Sequence, residues 1–295
     1  MNRYNCLLVV GIAIASAASA KPRLNLTFDE GQKISGKSAA TLTSQNGDSI
    51  KAVIDKGTRA ADRPAIINQG CKSAPACLRV SLDPSAPGAV KNKIMFPVWP
   101  HQRKLPGGES GRVVLGDNKT TTFSFDMKLD DRYDTPIHSL LHFQMVQPFS
   151  GDPKGFKVRP GGPILSLNIV PRSKRRVKTA AVEEFVIAVR NPSATKFETF
   201  DRKDATVLYR GTIKKGVWNN FSFRFKSEKL SPGSIGGPLQ FRQNGALKFS
   251  ERAKWGFVPN GAGVSKTVSL EIGAYRTPDT KGRQTVYFDN VVLDR

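Results

Sequence analysis

The sequence predicts an all-β protein, a single-domain β-sandwich with enough strands for a jelly roll. From about residue 120 onward, apolar and polar residues alternate over short runs, which is typical of antiparallel strands with one buried face. Turn-forming residues separate these runs, and the 295 residues include 26 Gly, 19 Pro and 17 Phe. No window longer than about ten residues keeps a helical period. Two facing sheets can bury the apolar stripes, so a sandwich is predicted.

Each predicted strand carries an apolar stripe on one face. Two closing strands follow at 268–275 and 285–293, joined through Pro278, Asp279 and Gly282. Without an internal repeat or linker, residues 21–295 are predicted to form one domain, and the strand number favours a jelly roll over an immunoglobulin-like fold. The earlier stripes are Phe123, Phe125, Met127 and Leu129; Leu165, Leu167 and Ile169; Phe185, Ile187 and Val189; and Phe221, Phe223 and Phe225.

The first twenty residues have the order of a cleavable secretory signal peptide. Arg3 precedes an apolar run over 6–15, and small residues follow up to Ala20. The mature chain is therefore expected to begin at Lys21 and to be secreted, or periplasmic in a bacterium. An uncleaved anchor is the alternative, but the apolar run is shorter than the roughly 20 residues that span a bilayer.

Removing this segment leaves two cysteines, Cys71 and Cys77. An even pair in an oxidising compartment predicts a disulfide that closes a short loop. Two free thiols are the alternative. A zinc site is disfavoured because no His or further Cys lies nearby at zinc spacing.

The charge balance is strongly basic, with 46 Lys and Arg against 24 Asp and Glu, a net charge of +22. For an exported protein this predicts an acidic polysaccharide or an anionic cell surface as the partner, rather than nucleic acid or a membrane. The alternative is that the charge only aids solubility. A basic run between two predicted strands contains Arg172, Lys174, Arg175, Arg176 and Lys178, and is either a polyanion contact or a solvated loop.

Alternation along 138–146 places Leu141, Phe143 and Met145 in the core, and His142 and Gln144 side by side on the solvent face, together with His138, Leu140 and Val146. An imidazole beside an amide on such a face can move a proton near neutral pH while its neighbour donates a hydrogen bond. The alternative is an ordinary exposed pair.

The strand over 268–275 places Glu271, Gly273 and Tyr275 on its solvent face, with Arg276 immediately after. Gly273 would leave room for a ligand to approach the backbone. A phenol is a poor base at its ordinary pKa near 10, and neighbouring cations favour the phenolate. An exposed strand Tyr that only packs or stacks is the alternative.

Three pairs of sequence runs resemble the concanavalin-like jelly-roll polysaccharide lyases, the group that includes glucuronan lyases and heparin lyase I. They are Leu140-Leu-His-Phe-Gln144 with Gly162-Pro-Ile-Leu-Ser-Leu167; Gly216-Val-Trp-Asn-Asn-Phe-Ser-Phe-Arg-Phe225 with Asn244-Gly245; and Val268-Ser-Leu-Glu-Ile-Gly-Ala-Tyr-Arg276 with Gln284-Thr-Val-Tyr-Phe-Asp-Asn-Val-Val-Leu293. The resemblance covers roughly residues 75 to 295, in order.

The resemblance implies β-elimination on a uronate-containing chain, with glucuronate-containing polymers preferred over sulfated ones. Tyr275 would be the acid, or both acid and base. The roles of base and carboxylate neutraliser would fall to His142 and Gln144, with either residue in either role. Related alginate lyases read Gln-x-His where this chain has His142 and Gln144 in the reverse order, and a Lys where it has Glu271. The expected substrate-binding residues are Lys93, Arg103, Asn168, Arg276, Arg172, Arg175 and Arg176.

No cofactor is required by this chemistry, and the protein is expected to be a monomer. A structural Ca²⁺ at Asp289, with Asp29 and Glu30, is one option, and ordinary turn carboxylates are the other. Two further functions stay open. A lectin-like protein that binds anionic glycans without cleaving them would keep the same fold. A glycoside hydrolase would need paired carboxylates, for which no Glu-x-Asp-x-x-Glu motif is present.

Overall fold

The computed structural model describes residues 24–29, 34–35, 40–43, 49–54, 64–73, 75–83, 93–100, 112–148, 163–177, 179–191, 203–230, 234–257, 264–276 and 282–295. The predicted signal peptide, the Gly- and Pro-rich segment over 149–162, Pro278 and Asp279 lie outside these ranges. Within them, strands dominate, and a short 3₁₀ helix spans Arg172–Lys174. No helix in this part of the chain is long and apolar enough to cross a membrane.

Most of the strands, numbered here in chain order, form two large antiparallel sheets. The eight-stranded sheet contains β5 (Val53–Ile54), β8 (Lys93–Trp99), β9 (Val113–Val114), β11 (Leu140–Val146), β12 (Pro163–Ile169), β13 (Val182–Arg190), β14 (Ala205–Lys214) and β19 (Thr267–Arg276). The nine-stranded sheet contains β1 (Leu24–Leu26), β6 (Ala65–Ile67), β7 (Cys77–Leu82), β10 (Thr120–Leu129), β15 (Asn219–Lys226), β16 (Glu228–Lys229), β17 (Ser234–Gln243), β18 (Ala246–Phe257) and β20 (Gln284–Asp294). A small third sheet contains β2 (Ile34–Ser35), β3 (Thr41–Thr43) and β4 (Ser49–Lys51).

Strands that are neighbours in space are often distant in sequence. β11 lies between β12 and β19, and β10 lies between β15 and β20. Such long-range antiparallel pairing is typical of jelly-roll sandwiches. The predicted all-β sandwich is confirmed.

The core lies between the inner faces of the two large sheets. The stripes predicted from alternation are buried in it, except for Leu141, which does not join the core, whereas Leu140 does. Phe143 of the eight-stranded sheet stacks on Phe223 of the nine-stranded sheet, with ring centroids 4.7 Å apart, and Phe125 lies 5.6 Å from Phe143. Aromatic pairs at these distances add to the burial of apolar surface, so they hold the two sheets together.

One local prediction is also confirmed. Cys71 and Cys77 form a disulfide. Asn244 and Gly245 connect β17 to β18 with φ angles of 53° and 77°, which is the backbone that a two-residue hairpin with the strand twist requires.

Candidate active site

The outer face of the eight-stranded sheet carries a row of side chains that runs across six strands. Each neighbour in the row is a direct cross-strand partner of the next. Five strand spacings of about 4.8 Å give this row a length of about 24 Å. In order from β8 to β14, the row contains Lys93, Tyr275, Leu141, Asn168, Val186 and Arg210.

The next row on the same face is polar at its centre. Glu271, Gln144 and Ser166 are partners on three adjacent strands. The amide Nε2 of Gln144 donates to Oε2 of Glu271 at 2.7 Å. Asn168 Nδ2 donates to Ser166 Oγ at 2.7 Å, which links this row to the first. Donors and acceptors are therefore fixed along the middle of the face before a ligand arrives.

Tyr275 is the most accessible of the predicted catalytic groups. It is 38% exposed and lies directly opposite Lys93 on β8. The Lys93 ammonium lies over the phenol ring, 4.8 Å from its centroid. This contact holds a positive charge beside the one exposed phenol of the row.

Gly273, two residues before Tyr275, has a different role from the predicted one. A Cβ at this position would lie 2.1 Å from the carbonyl oxygen of Ile94 in the neighbouring strand. Its φ of 149° also disfavours a side chain. The prediction that Gly273 leaves space for a ligand is therefore wrong, because that space is filled by the backbone of β8.

Glu271 is partly buried beside Gln144, and burial raises its pKa above the usual value for a carboxyl group. The hydrogen bond from Gln144 and the charge of Lys93 oppose this shift in part. Glu271 therefore becomes neutral at a higher pH than a free glutamate.

His142 does not lie beside Gln144 on the outer face, so the placement predicted from alternation is wrong. β11 contains an extra residue at this point, because Leu141 pairs with Asn168 while Phe143 pairs with Leu167. The resulting β-bulge turns the fully buried imidazole toward the core, where its ring centroid lies 6.5 Å from that of Phe288.

Both ring nitrogens of His142 have partners in the interior. Nδ1 lies 2.8 Å from the carbonyl oxygen of Gly273, and Nε2 lies 2.9 Å from the hydroxyl of Tyr133. Burial lowers the pKa of His142 to about 4, an effect that the Gly273 hydrogen bond opposes. The imidazole is therefore neutral at pH 7, and its position in the core separates it from a substrate on the outer face.

Arg276 also lies away from the predicted face. Its strand partner is the core residue Leu140, and its side chain is 2% exposed. Its guanidinium donates to the carbonyl of Gly282 at 2.8 Å and to Oε1 of Gln284. Because Arg276 joins the last two strands at the end of the sandwich, the prediction that it contacts substrate is wrong.

The basic run divides into an internal residue and exposed ones. Arg175 donates to Thr135 Oγ1 at 2.9 Å and to the carbonyl of Val182, and lies 3.7 Å from the buried Glu183 carboxylate. It therefore holds the loop to the sheet and does not face solvent as predicted. Arg172 and Arg176 are exposed. Arg103 and Lys178 lie outside the described residues.

Asp289 accepts hydrogen bonds from the protein itself. Its Oδ2 accepts from the backbone N–H of Ser73 at 2.9 Å and of Lys72 at 3.2 Å, and from the Ser73 hydroxyl. No group of three His, Cys, Asp or Glu residues within the described ranges is placed to hold a metal ion. The Asp289 carboxylate thus holds the loop that the disulfide closes.

Two residues near the site were not predicted from the sequence. Arg210 lies at the β14 end of the row, and its Nη1 donates a hydrogen bond to Oε1 of Glu184 at 2.6 Å. Burial alone would raise the pKa of Glu184, but the Arg176 amide and the Arg210 guanidinium bring it below its usual value. Tyr133 lies in a connection before β11. The alternation over 205–214 could have placed Arg210 on the outer face, whereas no sequence pattern pointed to Tyr133.

The described chain is thus a two-sheet β-sandwich with a polar outer face that is bordered by cations. No protein-family model and no curated protein sequence matches it. Among solved structures it is similar to the alginate lyase Aly36B, with a TM-score of 0.49 and 14% identity over 92% of this chain and 96% of that chain.

Two further neighbours are more distant. The alginate lyase AlyC3 in complex with dimannuronate has a TM-score of 0.43 and 11% identity, over 91% of this chain and 90% of that chain. A structure concerning the cell entry of botulinum neurotoxin type C, through interaction with two ganglioside molecules, has a TM-score of 0.43 and 9% identity, over 89% of this chain and 47% of that chain. The function has to be inferred from the chemistry of the site.

Proposed function

We propose that this protein cleaves an acidic, uronate-containing polysaccharide by β-elimination, with Tyr275 moving the proton. The observation that carries the proposal is the position of Tyr275. Its exposed phenol lies under the Lys93 ammonium, on the same sheet face as Asn168 and the Gln144–Glu271 pair. The strongly basic composition supports an anionic polymer as the substrate.

The elimination can be written with Tyr275 alone as base and acid. Its phenolate oxygen takes the proton from the carbon beside the uronate carboxylate, and the electron pair of that C–H bond forms the C=C bond. The glycosidic C–O bond breaks, and its oxygen takes the proton back from Tyr275, so the phenolate is regenerated. Because His142 is turned into the core, this one-residue scheme replaces the predicted division of roles.

The negative charge that develops on the carboxylate has to be stabilised by fixed donors. Lys93 and the second N–H of the Gln144 amide lie on the correct face for this role. As the pH falls, the raised pKa lets Glu271 become neutral sooner than a free carboxyl group, which lowers the repulsion that its carboxylate exerts on an anionic sugar. Exposed Arg172 and Arg176 would hold neighbouring uronates further along the chain.

A second candidate function, binding of anionic glycans without cleavage, is favoured by one observation. The Gln144 amide is bonded to Glu271, and the imidazole is buried, so two of the three groups predicted for catalysis are committed to the protein. The same face could then hold a polymer and leave it intact. Export by the predicted signal peptide would place either activity outside the cytoplasm.

The test is to incubate the mature protein with polyglucuronate, polymannuronate and a neutral glucan, and to follow ultraviolet absorbance of the unsaturated chain end. We expect new unsaturated ends from a polyuronate and none from the glucan. Binding without product would replace lyase activity with the second function. New reducing ends without unsaturation would indicate hydrolysis and overturn β-elimination.

A further inference from the structure

A second polar surface lies on the outer face of the nine-stranded sheet, on the far side of the core from Tyr275. It is a depression that is partly open to solvent. Its lining contains two arginines but no acidic or aromatic side chain. The lining residues are Thr122, Ser222, Arg224, Gln240 and Arg242.

The three adjacent strands β10, β15 and β17 place these side chains together. Arg224 is the direct partner of Gln240, and Arg242 is the direct partner of Ser222. The two arginines are therefore diagonal neighbours, about 7–8 Å apart at the backbone. Gln240 Nε2 donates to Ser250 Oγ at 3.2 Å, and Arg242 Nη1 donates to the carbonyl of Gly245 at 2.9 Å, so two lining side chains are already oriented.

No carboxylate among the described residues neutralises the charges of these two arginines. The nearby cations Lys226 and Arg252 bond the Glu228 carboxylate at 3.1 and 2.5 Å. Within the described ranges, neither Arg224 nor Arg242 has such an ion pair. Asp294, on the opposite side of Thr122 from Arg224, is two strand spacings or about 10 Å away. The depression therefore keeps a positive potential toward solvent.

We infer that this depression, the arginine groove, is a second binding site for a carboxylate-bearing polysaccharide chain. Planar guanidinium groups match carboxylates with paired hydrogen bonds. The hydroxyls and the amide of the lining can bond sugar hydroxyls. The five lining residues offer no aromatic face on which nucleic-acid bases could stack and no apolar group to enter a membrane.

The two sites face opposite directions, because each lies on the outer face of one of the two sheets. The sheets of a sandwich pack about 10 Å apart, and the side chains add to the separation between the sites. A polymer held in the arginine groove would keep the protein attached while another stretch of polymer reaches Tyr275, which raises the effective substrate concentration. The choice of a uronate polymer as ligand rests on the proposed function, whereas the anion preference rests on the two arginines.

The test compares R224Q/R242Q with K72Q/K266Q, a control that removes two exposed cations elsewhere. Binding of long polyglucuronate and polymannuronate is measured by titration in a Tyr275→Phe background, at several salt concentrations. We expect about a tenfold loss of affinity and a weaker salt dependence for the arginine pair, and a smaller change for the control. Cleavage of a tetrasaccharide, with Tyr275 present, should be unchanged by R224Q/R242Q.

Equal affinity losses in the two double variants would overturn the groove, because net charge alone would then explain binding. If R224Q/R242Q loses affinity for a sulfated polymer or for duplex DNA but for neither polyuronate, the assignment of a carboxylate-bearing ligand is overturned. If the wild type makes no unsaturated product but R224Q/R242Q still weakens polyuronate binding selectively, the lyase proposal fails and the groove stands. If the wild type cleaves a polyuronate but R224Q/R242Q causes no selective loss of affinity, the arginine groove fails and the lyase proposal stands.

Discussion

Nδ1 of His142 donates a hydrogen bond to the carbonyl of Gly273, in the strand that also carries Glu271 and Tyr275. A carbonyl can only accept, so the proton is on Nδ1, and Nε2 of the neutral ring accepts from the Tyr133 hydroxyl. His142 therefore acts from inside the sandwich. It fixes the irregular backbone two residues before Tyr275, and it is a positioning residue.

Replacing Tyr275 with Phe should remove turnover and keep binding. The variant retains the ring under Lys93 but loses the oxygen that carries the proton. We expect kcat to fall by about 10²–10⁴-fold, with Kd for a polyuronate changed less than about threefold. Kd is measured by titration and kcat by product absorbance. Tyr287→Phe, on the other sheet, is the matched control. Full activity in Tyr275→Phe would remove Tyr275 from the site.

Replacing Glu271 with Gln should improve binding of a uronate polymer at neutral pH. The substitution removes a negative charge from the face and can still accept the Gln144 hydrogen bond through its amide oxygen. Coulomb repulsion across about 8 Å of water-like medium corresponds to about a twofold to threefold change in affinity.

The affinity of the wild type for a uronate polymer should also depend on pH. Burial raises the pKa of Glu271, so in the wild type its charge is lost as pH falls and polymer affinity should rise. Glu271→Gln should show a flatter profile in titrations from pH 8 to 5, and the exposed Asp131→Asn variant should follow the wild type. Loss of all cleavage in Glu271→Gln would instead indicate a catalytic carboxylate.

His142→Gln should change how stability depends on pH. The folded pKa of His142, about 4, is below the unfolded value of about 6.5, so the unfolded chain binds the extra proton. The wild type should therefore lose about 3 kcal/mol of stability from this group as pH falls from 6.5 to 4.

Urea unfolding at several pH values would measure this effect. The raised pKa of Glu271 acts with the opposite sign, because it favours the folded state at low pH, and the difference between wild type and His142→Gln removes that common contribution. If the free energy of unfolding depends on pH in the same way in the two proteins, the buried imidazole does not contribute as expected. Tyr133→Phe keeps the titrating ring and serves as the control.

Removing the disulfide should lower stability without changing activity. Cys71 and Cys77 close a short loop, which corresponds to about 2 kcal/mol in the chain-entropy model. Since Cys77 is fully buried, the variant is Cys71→Ser with Cys77→Ala.

Thermal unfolding with and without reductant tests this prediction. Reductant should lower the Tm of the wild type toward that of the double variant and should leave the variant unchanged. Equal Tm values for the oxidised wild type and the variant would contradict a stabilising role. Cleavage should be the same in both because the loop belongs to the sheet opposite Tyr275.

Alternation predicted the core well because each apolar stripe reports directly on one strand face. Phe123, Phe125, Phe221 and Phe223 are all fully buried, as their spacing requires. The position of Tyr275 on the outer face follows from the same rule. These features depend on residues within one strand, so a single sequence contains them.

The errors have a different origin. The extra residue at His142 shows itself only when β11 is aligned with β12, and its neighbour Gly273 is required by the carbonyl of Ile94 on a third strand. Arg175 faces inward because Glu183 is buried below it. Such positions are decided by partners far away in the chain, which a pattern along one segment does not reveal.

The bulge in β11 also makes the face of the sheet sensitive to chain length. Deleting His142 would restore regular alternation between Leu140 and Gln144 and a regular register with β12, because Leu141 and Phe143 pair with the adjacent residues Asn168 and Leu167. The same deletion would increase the mismatch with β19, where Leu141 and Phe143 pair with Tyr275 and Ile272, so the backbone beside Tyr275 would have to shift. We therefore expect this point to tolerate substitutions far better than changes in spacing.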